Sequence, residues 1–219
     1  DWRSFQKVLK QRNSLLRRGK ISAAELVPWD EEFHRLATEI TRMRALYVAA
    51  LEPLVFAALE TLWPEAEGLS LAYQQGWDKA LPCREALLQQ RVRDARVGHS
   101  TVGPHRADIR LRYDGQAVSD VLSRGQLKVL VAALRVAQAT LLKQQTGMDC
   151  LFLVDDLPAE LDSGKRKALC DLLIELDCQV FITCIDKRDM DGCGLQSLQS
   201  KVFHVEQGVI SPGEQMESI

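Results

Sequence analysis

Two apolar runs, Cys150–Val154 and Cys178–Cys184, constrain the fold of this chain more than any other feature. Short apolar runs bounded by polar sequence are the pattern of strands buried on both faces of a parallel sheet. Between them Arg166–Leu176 is amphipathic, with Leu169, Leu172, Leu173 and Leu176 at helical spacing. Strand, helix, strand in that order is a βαβ unit with a right-handed crossover, so the fold class is α/β.

The rest of the chain is read around that unit. Trp2, Phe5, Val8, Leu9, Leu15 and Leu16 predict an amphipathic helix over 2–18, stopped at Gly19. A second helical stretch opens at Pro28-Trp29-Asp30, with Asp30 as N-cap, is kinked or divided at Pro53 and ends near Leu62. A short strand is expected over Leu69–Tyr73 and a helix from Cys83 to Arg93 with Pro82 in its first turn. Ile109, Leu111 and Tyr113 alternate with arginines before Asp114-Gly115, which predicts a hairpin returning through Gln116–Val118. A helix follows from Gln126 to Lys143, and a small hairpin around Gln207-Gly208 closes the chain. The expected division is a helical subdomain, 1–96, and a second part, 97–219, holding the βαβ unit.

With 46% apolar and 26% charged residues among 219, the chain is neither disordered nor a disulfide scaffold. No uninterrupted apolar run reaches a membrane span and no secretory signal opens the sequence. The six cysteines form no C-x-x-C and no zinc spacing, which fits a reducing cytoplasmic compartment; Cys150, Cys178 and Cys184 sit in apolar runs as small hydrophobes. The first residue is Asp1, so the chain is expected to be processed or part of something longer. The net charge of −2 hides alternation: residues 1–20 carry +6, 21–83 carry −6, 84–144 carry +6 and 151–219 carry −7. The basic segments could meet phosphate or pair with the acidic ones.

Three features stand in order: Leu122-Ser123-Arg124-Gly125-Gln126 before a long helix, the strand Leu151–Val154 ending in Asp155-Asp156, and then Glu160-Leu161-Asp162. Singly each has a plain reading, the first as a helix cap and the second as acids capping the next helix. Together they point to phosphate chemistry. Ligands of open parallel sheets bind at the carboxyl ends of strands, where Asp155 would hold a water of Mg²⁺ and Asp156 would orient an attacking water as general base. The helix start at Gly125-Gln126 offers free N–H groups and a positive dipole end to an anion, with the Ser123 hydroxyl as a further donor. Gly125 lets the backbone approach closely.

In these three segments the chain resembles the ABC-class ATPases: their signature motif at Leu122–Gln126, their Walker B strand at Leu151–Asp156 and their D-loop at Glu160–Asp162. Within that class, which includes the SMC-type chromosome and repair ATPases, it is most similar to the RecF family of bacterial recombinational repair proteins. Thr101–Asp108, with Gly103-Pro104-His105-Arg106, and Leu9–Leu16 also carry the likeness. The resemblance implies a partial ABC-type head with a parallel sheet plus a helical signature subdomain. It implies ATP and Mg²⁺ as cofactors, Asp156 as catalytic base, Asp155 toward the metal, and Ser123, Arg124, Gly125, Gln126 and Asp162 toward nucleotide. The implied partners are double-stranded DNA at gap junctions, RecR, RecO and a second copy joined through ATP, in support of RecA loading.

The sequence departs from the pattern in three places. No G-x-x-x-x-G-K-[ST] P-loop is present, since Gly19-Lys20 precedes Ile21 and Gly164-Lys165 precedes Arg166. The chain is thus expected to be a C-terminal part of such a protein, inactive alone as an ATPase. Asp156 stands where transporters have Glu, and Phe181–Asp186 offers Thr183 and Asp186 where they have His. His105, Arg106, Arg110 and Arg112 are the candidates for DNA contact; the plain alternatives are a loop-bracing His and arginines that keep a strand edge soluble. Arg12, Arg17 and Arg18 read as a solvated helix face, and Trp2, Trp29 and Trp63 as core or interface anchors. The rival readings are an interaction module with unused ATPase parts and another SMC-type head. The second would need a long heptad arm, which the Pro53-interrupted stretch over 30–62 does not supply.

Overall fold

The computed structural model describes residues 1–18, 22–194 and 200–213. In chain order the elements are α1 (Trp2–Leu16), α2 (Ala23–Leu62), β1 (Leu69–Gln74), α3 (Cys83–Val97), β2 (Asp108–Tyr113), β3 (Gln116–Ala117), the single turn α4 (Val118–Val121), α5 (Arg124–Thr146), β4 (Leu151–Val154), the single turn α6 (Leu157–Glu160), α7 (Ser163–Glu175), β5 (Gln179–Ile182), β6 (Phe203–Glu206) and β7 (Val209–Pro212). Gly19, the expected stop of α1, lies outside the described residues. Two compact units result: Asp1–Ala50 with Leu69–Ala117, and Leu51–Gly68 with Val118–Ile219.

The first unit packs α1, the first part of α2 and α3 around Phe5, Val8, Phe33, Leu36, Ala37, Ile40, Cys83 and Leu87. Phe5 meets Phe33 edge-on at 4.8 Å between ring centroids. Its antiparallel sheet has the order β1-β2-β3. The β1–β2 pairing, Leu69 opposite Tyr113 through Gln74 opposite Asp108, joins segments on either side of residue 96. The hairpin turn forms as expected, with Asp114 (φ 49°) and Gly115 (φ 80°) both left-handed.

Two sequence expectations fail in this unit. Arg12 is not on a solvated face: it is 0% exposed, on the stripe Phe5, Val8, Arg12, Leu16 that α1 buries. Its Nε donates to Asp30 at 2.7 Å and its Nη1 to Asp94 at 2.8 Å and to Ser100 Oγ at 2.7 Å. Asp30 in turn accepts from Arg91 at 2.7 Å. Asp30 therefore lies inside α2, buried in this network, and does not cap a helix. The partners come from 18 to 88 residues away, so nothing local in the sequence announces them.

Nor does Pro53 divide α2, which runs unbroken for 40 residues. An interior proline costs about 3 kcal/mol, but Leu51, Val55, Ala58, Leu59 and Leu62 are all buried after or beside it. At roughly 1.5–3 kcal/mol for each large side chain, their burial outweighs the lost hydrogen bond. By length and composition α2 and α5 could each cross a membrane. In this fold they spend their apolar faces on its cores, α5 through Leu130, Ala133, Ala137 and Leu141.

In the second unit β4 and β5 pair in parallel, Leu151 beside Gln179 through Val154 beside Ile182, with α7 between them in sequence. This is the expected strand–helix–strand unit. The expectation of burial on both faces is wrong. Exposure alternates along both strands, and Leu151, Leu153 and Phe181 lie open, Leu153 to 75%. Among the described residues the parallel sheet has two strands, too few to be covered on both sides. Cys184 is likewise exposed, while the buried cysteines are Cys83, Cys170 and Cys193; burial pushes the Cys83 thiol up to about 12. The C-terminal hairpin β6–β7 turns at Gln207-Gly208 as expected.

Candidate functional site

The three segments singled out in the sequence all fall in the second unit. Ser123 is the N-cap of α5, extended at φ −63° and ψ 160°. Its Oγ accepts from Gln126 N at 3.2 Å, and Gln126 Oε1 accepts from Ser123 N at 2.8 Å. This capping box settles two backbone donors. The Arg124 and Gly125 N–H groups lack helical carbonyl partners by position, and the Ser123 hydroxyl keeps its proton for another acceptor. Buried Leu122 anchors the turn, while Ser123, Arg124 and Gly125 are exposed. A Cβ at Gly125 would meet only Ser123 Oγ, at 4.0 Å, so internal packing does not require glycine there.

Asp155 and Asp156 follow β4 directly. Asp156 is left-handed at φ 45° and ψ 49° and occupies the N-cap of α6, yet its side chain makes no capping hydrogen bond. The plain reading of this acid pair as helix caps therefore fails for Asp156. What holds the pair is Thr183, just past β5. The Thr183 hydroxyl donates to Asp155 Oδ1 at 2.6 Å and accepts from Asp156 N at 2.8 Å. The Thr183 backbone adds N–H to Val154 O at 3.0 Å and accepts from Leu157 N at 3.3 Å. The fully buried Leu157 side chain pins the turn from below.

A hard divalent cation fits this donor set. Asp155 is exposed at a strand end with one carboxylate oxygen held, and Mg²⁺ is commonly bound through one or two carboxylates while keeping several waters. No cluster of three or more His, Cys, Asp or Glu occurs among the described residues.

Asp162 caps α7: it accepts from Lys165 N at 3.0 Å and pairs with Lys165 Nζ at 3.1 Å. The Lys165 backbone bond, then its side chain, hold the Asp162 carboxyl below its usual range. Lys128 of α5 pairs with Glu160 at 2.8 Å, tying the signature helix to the segment before Asp162. The Lys128 and Thr183 links were not evident from local motifs. The parallel register, Val154 beside Ile182, is the signal that places residue 183 next to residue 155.

The candidates for DNA contact lie in the first unit. His105 packs beside Phe5 at 6.0 Å and Phe33 at 6.3 Å, and its Nε2 pairs with Ser100 O at 3.1 Å. Burial pushes its pKa down. Arg106, Arg110 and Arg112 are exposed. β3 pairs with β2 only at Arg112 and Tyr113, so Arg112 lies between two strands, whereas at Arg110 β2 is bonded to β1 alone and the strand-edge reading stands there. Arg112 also donates to Gly115 O across the hairpin.

A parallel strand ending in paired acids, beside a capped signature helix, is the architecture of an ABC-type ATPase head. The RecF/RecN/SMC N-terminal domain matches residues 6–211, and the chain belongs to that family. The DNA replication and repair protein RecF of Pseudomonas savastanoi pv. phaseolicola is 46% identical over 210 residues, 96% of this chain and 57% of that protein. RecF of Pseudomonas putida matches to the same extent. The fold is similar to that of the recombination mediator protein RecF with ATP, from the RecFOR pathway, with a TM-score of 0.77 at 24% identity, covering 96% of this chain and 57% of that one. A RecF structure described with ATPrS gives 0.75 at 25% identity, covering 95% and 57%. The chain thus spans a little over half the length of these relatives.

Proposed function

We propose that this chain is the signature-, Walker B- and D-loop-bearing part of a RecF-like, ATP-dependent DNA-binding repair protein, with the P-loop lying outside these 219 residues. The observation that carries the reading is the pair Asp155–Asp156 at the end of β4, held by Thr183 and not used as caps. The exposed apolar face of β4 and β5 supports it, because parallel sheets are normally covered on both faces. So does the 57% coverage of RecF relatives.

In this reading Asp155 would hold a water of Mg²⁺, and the ion when bound would supply charge neutralisation to the nucleotide phosphates. Asp156 orients the attacking water and takes its proton. The Ser123 hydroxyl and the N–H groups at Arg124 and Gly125 meet the γ-phosphate of a nucleotide held by a second copy, with the Arg124 side chain alongside and Gln126 keeping Ser123 in place. Asp162 fixes the start of α7 at the same junction. Arg106, Arg110 and Arg112 face duplex phosphates, and His105 braces their turn from inside. ATP closes the dimer on DNA at gaps and hydrolysis releases it, in the cytoplasm, with RecR and RecO as partners in RecA loading, recombination and the SOS response.

Asp156→Asn in the full-length protein tests the assignment. Expected are ATP binding within about twofold of the parent, hydrolysis at least ~100-fold slower and an accumulating ATP-bound dimer. Turnover near the parent value would reject Asp156 as base, whereas no turnover in the parent itself would favour a module whose ATPase parts are unused.

A further inference from the structure

We infer that Thr183 is a positioning residue for the strand-end acids, setting through one hydroxyl both the carboxylate of Asp155 and the backbone of Asp156. The inference rests on the proposed roles of those two acids. Three observations carry it. The hydroxyl is used twice, donating to Asp155 Oδ1 at 2.6 Å and accepting from Asp156 N at 2.8 Å. Short O–H···O⁻ bonds of this length are the strong, orienting kind. With Oδ1 engaged, Oδ2 of Asp155 is the oxygen left to face a metal-bound water. Second, Asp156 is held at φ 45°, ψ 49°. Left-handed backbone is uncommon at residues other than glycine, Asp being among those that adopt it most readily. The Asp156 N–H bond to the Thr183 hydroxyl and the Leu157 N–H bond to Thr183 O hold this turn, and with it the direction in which the Asp156 carboxylate leaves the backbone.

Third, the Thr183 side chain is itself immobilised. Its N–H donates to Val154 O at 3.0 Å and its C=O accepts from Leu157 N at 3.3 Å, so β5 carries the hydroxyl to the end of β4 in a defined register. A β-branched side chain on so fixed a backbone has little freedom at χ1. Outer-shell partners of metal-binding carboxylates act in this way, and their loss typically costs 10–100-fold in metal affinity or activity.

The test compares Thr183→Val, Thr183→Ser and Asp155→Asn in the full-length protein. Mn²⁺ affinity in the presence of ATP is read by electron paramagnetic resonance, beside ATP affinity, kcat and thermal unfolding. Thr183→Val keeps the shape and removes the hydroxyl. Expected are Mn²⁺ affinity and kcat each about tenfold lower, ATP affinity within about twofold, and Thr183→Ser within about twofold of the parent on every readout. Equal damage from Val and Ser, or parental Mn²⁺ affinity in Thr183→Val while Asp155→Asn weakens it, would overturn the role of Thr183 alone. Parental Mn²⁺ affinity in Asp155→Asn would instead overturn the reading of Asp155 on which the inference stands.

Discussion

The first unit carries 18 Lys and Arg against 11 Asp and Glu, net +7, and the second carries 10 against 19, net −9. The units also use their polar groups differently. In the first, Arg12, Asp30, Asp94, Arg91 and Ser100 are turned inward and joined to one another, fixing how α1, α2 and α3 meet. In the second, Ser123 and Asp162 are held at the surface by bonds from residues three positions on and Asp155 by Thr183 of the neighbouring strand end, and an apolar sheet face is left open. The contrast separates polar residues that specify a fold from polar residues held ready for something outside it. Mutations in the buried network of the first unit should therefore act on stability, and those at the strand-end and helix-start residues of the second on ligand chemistry.

The largest effect is expected at Arg12. Arg12→Ala leaves Asp30 and Asp94 without their buried cation and should cost about 3–5 kcal/mol, read as a lowered urea midpoint. A parental midpoint would mean that the network is not what sets the first unit. In the second unit Asp155→Asn, in the full-length protein, should weaken Mg²⁺–nucleotide binding or hydrolysis with little change in unfolding. A large loss of stability there would erase the contrast. The 219-residue chain by itself should show neither tight ATP binding nor turnover, because no P-loop cradle holds the β/γ-phosphates. Micromolar binding by calorimetry together with turnover above background would refute this.

Smaller effects sharpen the same comparison. Lys128→Ala removes an exposed ion pair to Glu160 and should cost less than about 1 kcal/mol; a larger loss would make the link between α5 and the D-loop segment structural. His105 tests the inward-facing unit by pH. Its folded pKa is lowered by burial, so the unfolded chain binds the proton more readily and stability falls as pH drops below about 6.5, the ordinary histidine value. His105→Asn should flatten that acid limb in a denaturation series, and an unchanged limb would assign it to other groups.

Local pattern was enough for much of this. The strand–helix–strand order, both tight hairpins and the Ser123 cap are legible because each depends on residues within a few positions. What stayed hidden depends on distance. Arg12 looks like any exposed arginine until Asp94, 82 residues away, is brought to it. Its place on the Phe5–Val8–Leu16 stripe was the available clue. Pro53 looks like a break until the burial beyond it is weighed. The apolar runs at β4 and β5 promise two covered faces, but covering them takes elements other than those described. At the site, Asp155 and Asp156 are legible as chemistry and Thr183 as a polar residue after the next strand, whereas the bond of Thr183 to the acids needs the sheet register that sets two strand ends side by side.

In the proposed function the signature turn faces outward, toward a nucleotide held by another copy. Ser123→Arg in the full-length protein addresses it directly, since a bulky side chain would fill the open space before Gly125 without disturbing a buried contact. Sedimentation with and without ATP is the measurement. Expected are nearly parental ATP binding by the monomer, loss of the ATP-induced dimer and loss of DNA-stimulated hydrolysis. An ATP-induced dimer unchanged by Ser123→Arg would contradict this reading.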